Sequence, residues 1–281
     1  MGLKLSAAIA LASLAVANPV LSQGVAQPPP AQLSYADLAD LAVAAPVVAH
    51  LRLRGAEALH ADLAPNVAPG FRRFLVEADV VALIRGDGGL APRVSYLVDL
   101  ADESRGHAAR LRRRDEVLVL AGRVPNRPAE LRLVAPDAQL PYSPATAERL
   151  RAILRDSSAA GAAPRITGIG RAFYVPGSLP GESETQIFLQ TADGRPVSLS
   201  VLRRPGERPR WSVALSEIVD EAAGPPAPDT LLWYRLACTL PPRLPPQCLS
   251  EASTDETQAI QADYRVVMDG LGRCARTRVP R

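Results

Sequence analysis

The sequence predicts a mainly β fold of the α+β class, arranged as two β-rich domains with flanking helices. Three observations carry this. Runs of alternating apolar and polar residues recur in both halves, bounded by glycine-rich or Asp-Gly turns. Helices are confined to short stretches near 35–44, 144–154, 216–223 and 254–270. Between the halves, SSAAGAAP at 157–164 has neither periodicity nor bulk and reads as a linker.

The first 22 residues read as an export signal. Lys4 supplies a positive n-region, Leu5 to Ala17 an apolar core, and Val20-Leu21-Ser22 a small-residue cleavage site before Gln23. A cut after Ala17 competes with one after Ser22, and an uncleaved anchor is the alternative to both. The apolar run is shorter than the roughly 20 residues a membrane helix needs. The mature chain is therefore expected in the periplasm, or secreted, and not as an integral membrane protein. The organisation that follows is signal peptide 1–22, a spacer at 23–33 containing Pro28-Pro29-Pro30, a first domain at 34–156, the linker, and a second domain at 165–281.

Each element has a local reason. Ser34 caps a helix over 35–44, with Leu38, Leu41 and Ala42 on one side. From Val47 the period becomes two: Val47, Ala49, Leu51 and Leu53 face the core, while Val48, His50, Arg52 and Arg54 face out. Phe74, Val76, Ala78, Val80, Ala82 and Ile84 form the buried side of a second strand, which Gly86-Asp87-Gly88-Gly89 ends in a turn. Val94 to Leu100 gives a third strand. A charged stretch runs from Asp102 to Glu116, and the segment Val117 to Gly122 after it is apolar on both faces, as a doubly covered strand should be. Leu131 to Val134 is a fifth strand, and Ser143-Pro144 starts a helix carrying Ala147, Leu150, Ile153 and Leu154.

Five strands, with the longest connection between the third and fourth, resemble the oligonucleotide/oligosaccharide-binding (OB) barrel over about Val47 to Pro136. A plain antiparallel meander gives the same pattern. The second half repeats the logic with strands at 166–175, 185–191, 196–203 and 211–215, the middle two joined through Asp193-Gly194. A short helix capped by Ser216 and a last helix opened by a Ser253/Glu256 capping box complete it.

Composition excludes several chemistries. Basic and acidic residues nearly balance, 32 against 29, and Lys4 is the only lysine. Nucleic-acid binding needs a clustered basic excess, and Schiff-base, P-loop and Ser-Lys chemistry have no lysine in the mature chain. Arginine in place of lysine, with abundant Ala, Pro and Gly, reads as GC-rich coding bias. The segments GESETQIFL, WYRLAC and DYRVVMDGLGRCARTR resemble exported proteins of unknown function from GC-rich Gram-negative bacteria. That resemblance implies an address and no activity.

Candidate residues are few. Glu182 and Glu184 precede a strand at i and i+2, a spacing that suits paired acid/base work or a solvated strand edge. Arg112, Arg113 and Arg114 suit a phosphate or anionic-glycan clamp, or a loop compensated by Asp115 and Glu116. Trp211, Trp233 and Tyr234 suit a sugar-stacking platform, or anchors of the second core in a chain with only 4% aromatics. His50, His60 and His107 read as solvated surface histidines. Of the three cysteines, Cys238 and Cys248 are the nearest pair, with Cys248 to Cys274 as the rival disulfide and a zinc site third.

No metal or cofactor is expected. The sequence points first to a non-catalytic binding or scaffolding protein that holds an envelope protein or glycan, and second to a small hydrolase of envelope glycan using Glu182 or Glu184.

Overall fold

A computed structural model describes residues 33–101, 111–215 and 224–278. The export signal, the spacer up to Gln32, His107 and the Ser216 helix lie outside the described residues. No described helix is long and apolar enough to cross a membrane.

The chain runs α1 (Tyr35–Ala44), β1 (Val47–Ala58), β2 (Phe71–Arg85), β3 (Arg93–Ala101), β4 (Glu116–Val124), β5 (Arg127–Leu133), β6 (Gln139–Pro141) and α2 (Pro144–Ser158). The strands hydrogen-bond in the order β1-β2-β3-β5-β4-β6, and β1 also pairs with β4, so the first five close on themselves. All pairings are antiparallel except β3 with β5, a parallel contact of two residue pairs, Ser95↔Glu130 and Tyr96↔Leu131. The result is a five-stranded mixed barrel, compatible with an OB-like one; strand order and the parallel pair separate it from a meander. β6 is a sixth strand that the alternation pattern does not reveal, because three residues are too few to show a period.

The barrel interior is filled by Val47, Ala49, Leu51 and Leu53 of β1 with Val76, Ala78, Val94, Tyr96, Val98, Val117, Val119 and Leu131. Closure abolishes sheet edges, and alternate side chains of each strand supply the fill. β4 is apolar on both faces because its outward residues, Leu118 and Leu120, bury with Val48 of β1 under α1 and α2. The helix caps follow the sequence: Ser34 forms a capping box with Asp37, and the Ser143 hydroxyl accepts from the Thr146 amide.

The second half is a four-stranded antiparallel sheet in the order β10-β9-β8-β7, from β7 (Ile166–Pro176), β8 (Ser183–Thr191), β9 (Val197–Arg203) and β10 (Arg210–Ala214). One face packs on α3 (Leu231–Ala237) and α4 (Thr254–Leu271), burying Ile187, Leu199, Leu236, Ile260, Tyr264 and Val267. Gly194, at φ 76°, turns the β8–β9 hairpin where a side chain would be strained. Leu33–Arg281 form one compact unit.

The disulfide differs from the nearest-neighbour expectation. Cys238 joins Cys274, with their Cα atoms 5.1 Å apart, and Cys248 is free and buried. Cys238 ends α3 and Cys274 follows α4 closely, and the Trp233 indole N–H donates to the Leu271 carbonyl at 2.7 Å, bringing the two helix ends together. Cys248 sits instead on a 3-10 turn (Pro246–Leu249) under β7, its thiol 3.5 Å from the Ile169 carbonyl. Spacing along the chain loses here to the packing of helix ends.

Candidate functional site

A groove of about 800 Å³ lies in the barrel wall where β3 and β5 meet. The parallel pairing there spans only Ser95↔Glu130 and Tyr96↔Leu131. Its floor includes Leu75 of β2 and Leu97 of β3, a directly opposed cross-strand pair that stays 36% and 43% exposed. Arg73, Asp99, Arg127 and Glu130 rim it. Arg73 and Asp99 form a bidentate pair, Nε to Oδ1 at 2.7 Å and Nη2 to Oδ2 at 2.9 Å. Asp99 is nearly buried, so the rim on this side is rigid. Two large apolar side chains bare within a charged rim are the composition of a contact surface.

A second constellation lies on the outer wall of β1. His50, Arg52 and Arg54 follow one another at i, i+2 and i+4 on one face. The His50 ring stacks on Tyr142, centroids 3.8 Å apart and planes nearly parallel, and its Nε2 lies 2.9 Å from Glu116 Oε2. His50 is 8% exposed, which corrects its reading as a solvated histidine. The same carboxylate takes Arg52 at 2.8 Å, and hydrogen bonding from Arg52, joined by that from His50, holds Glu116 below the usual carboxylate range. Of the arginine triplet, Arg113 and Arg114 line a groove of about 590 Å³ with Arg52, Arg54 and Asp79; Arg112 does not.

The two glutamates do not converge on a pocket. Glu182 closes the β7–β8 loop, accepting from the Leu179 amide and the Ser178 hydroxyl at 3.4 Å. Glu184 lies on the outer face of β8 and accepts from Gln186 at 2.9 Å. The aromatic candidates separate as well. Trp211 and Trp233 are buried in the second core, Trp211 against α4 at Gly270, where a Cβ would overlap its indole. Tyr234 is half-buried and donates to Asp40 at 2.7 Å. His60 pairs with Asp62 on an exposed turn. Among the described residues, no group of three or more His, Cys, Asp or Glu side chains is placed to hold a metal ion.

Two polar centres went unmarked in the sequence. The first is a latch for the C-terminal segment. Asp37 accepts from the Thr277 amide and hydroxyl at 2.8 and 2.6 Å, Asp40 from Arg276 at 2.7 Å, and Asp137 from Arg278 at 2.8 Å. The second is Asp263 on α4, fully buried in the apolar stripe, which takes Arg203 of β9 at 2.6 Å and the Thr185 hydroxyl of β8. Both tie elements together. The signal for Asp263 was a carboxylate interrupting an otherwise apolar helix face.

No protein-family model matches the chain, and comparison with curated proteins gives no match.

Proposed function

We propose that this chain is an exported binding or scaffolding protein of the cell envelope, which holds a protein partner in the groove between β3 and β5 of an OB-like barrel. The observation that carries the reading is the exposed Leu75–Leu97 pair on a rigid sheet, rimmed by Arg73, Asp99, Arg127 and Glu130. A protein interface has this make-up, an apolar centre within a polar rim. A glycan site would instead call for an exposed aromatic platform, and Trp211 and Trp233 are core residues. The export segment supports the address, and a Cys238–Cys274 cross-link suits an oxidising compartment.

The test is cross-linking of the mature protein in its native envelope, followed by mass spectrometry. The expected result is one protein partner recovered at near-equal amount, lost with Leu75→Asp/Leu97→Asp and kept with Glu182→Ala/Glu184→Ala. Recovery that is indifferent to the leucine changes overturns the groove reading. Release of sugar from envelope extracts that disappears with the glutamate changes overturns the non-catalytic one.

A further inference from the structure

We propose that the arginine-lined groove between β1 and the turn preceding β4 binds a phosphate group, either free or at the end of a larger molecule. This site is separate from the β3–β5 groove and rests on its own observations.

The first is charge. Arg52, Arg54, Arg113 and Arg114 converge on a space of about 590 Å³ that holds one carboxylate, Asp79. Asp79 is already shared between Arg54 at 3.0 Å and Arg93 at 3.5 Å, and Glu116, beside the groove, between Arg52 and His50. Arg113 and Arg114 have no carboxylate partner among the described residues. Among the described residues the local balance is positive, Arg52, Arg54, Arg113 and Arg114 standing against Asp79, Glu116 and the adjoining Asp115, in a chain whose overall charge is close to neutral. Guanidinium groups match phosphate oxygens with paired, parallel hydrogen bonds, which a point charge cannot do.

The second is the backbone. Arg114 sits at φ 73°, in the left-handed region that glycine occupies freely and a residue with a Cβ occupies under strain. The turn is fixed there by the Arg114 amide donating to the Leu53 carbonyl and the Leu53 amide donating to the Asp115 carbonyl, both at 2.8 Å. The Arg112 amide also donates to the Asp115 carboxylate at 2.9 Å. A side chain kept at a strained position, on a turn stitched to the barrel wall, is placed rather than trailing. Strain of this kind concentrates at ligand sites. The Leu53 side chain points into the barrel core, so the floor of the groove is as rigid as the barrel.

The test is calorimetric titration of the mature protein with inorganic phosphate at low ionic strength, with sodium acetate at matched ionic strength as the control. A second arm measures co-sedimentation with vesicles of phosphatidylglycerol against phosphatidylcholine. The expected result is saturable phosphate binding that weakens with added salt, falls at least tenfold in Arg113→Gln/Arg114→Gln and is unchanged in Arg210→Gln. Vesicle binding that is lost in the same double variant assigns the phosphate to a lipid headgroup; phosphate binding without it assigns a soluble phosphate.

Arg114→Gly separates binding from folding, because it relieves the left-handed strain. Its Tm should hold or rise while phosphate binding falls. Binding that is equal in wild type, Arg113→Gln/Arg114→Gln and Arg114→Gly, or no saturable binding in either arm, overturns the proposal.

Discussion

Replacing Asp37 by alanine removes the acceptor that holds the C-terminal segment against α1. The carboxylate takes the Thr277 amide, the Thr277 hydroxyl and the Arg278 amide, and it also closes the capping box with Ser34. Hydrogen bonds to a charged acceptor are each worth about 1.5–3 kcal/mol, but the freed segment can turn outward and rehydrate, so the losses do not add. The expected cost is about 3 kcal/mol, a fall in Tm of roughly 6–12 °C at the two to four degrees per kcal/mol of a chain this size.

The effect has a pH signature. Burial alone would raise the Asp37 pKa, but hydrogen bonds from Thr277, Ser34 and Arg278 outweigh it and hold the carboxyl below its usual range. A depressed folded value means that the contribution is complete above the unfolded carboxylate pKa and disappears as pH falls through the folded one. Wild type and Asp37→Ala should therefore differ at pH 7 and begin to converge only below about pH 4. Urea melts followed by Trp211 and Trp233 fluorescence at pH 7 and pH 3 measure this, with tryptic cleavage after Arg276 and Arg278 reporting release of the segment. A variant within about 0.5 kcal/mol of wild type at pH 7, or an undiminished gap at pH 3, would refute the latch.

Three further outcomes follow from the packing of the second half. Arg203→Leu strands the buried Asp263 carboxylate and should cost about 3–5 kcal/mol; Arg203→Leu/Asp263→Leu should recover much of it in urea melts, and if it is no better than the single variant, the pairing is not what the charge requires. Cys238→Ser/Cys274→Ser opens a 36-residue loop and should cost about 3–4 kcal/mol by chain entropy, while Cys248 in the wild type should resist alkylation until the protein unfolds. Gly270→Ala sets a methyl group into the Trp211 indole and should cost about 1–3 kcal/mol, read as a lowered Tm with an altered near-ultraviolet tryptophan spectrum.

What the sequence discloses here is whatever lies within one element or one turn. The alternation of Val94, Tyr96 and Val98 is visible because each strand's buried face is set by its own neighbours. The Ser253/Glu256 box closes within three residues. The double apolarity of Val117 to Ala121 reports two coverings without naming them, the barrel interior on one side and α1 and α2 on the other.

Asp37 and Asp40 resemble the polar face of a surface helix, because the residues that hold them from outside it, Tyr234 and those from Arg276 on, lie far along the chain. His50 looks solvated for the same reason: Tyr142 and Glu116 become its neighbours only once β1, β4 and β6 are paired. Arg113 and Arg114 were recognisable as candidates, but the groove they share with Arg52 and Arg54 depends on backbone bonds to Leu53 that no local pattern encodes.

The outward face of β1 shows how one strand is divided between folding and binding. Val48 is covered by the helices, His50 is enclosed by Tyr142 and Glu116, and Arg52 and Arg54 are bare. Glu116 joins the covered part to the bare part, since one carboxylate takes His50 and Arg52. A ligand that draws Arg52 toward its own oxygens takes one of the two donors from Glu116 and leaves the carboxylate to His50 alone. His50 therefore holds Glu116 in place while the arginines are occupied: Arg52→Gln should weaken phosphate binding, whereas His50→Gln, which keeps a donor for Glu116, should leave it unchanged.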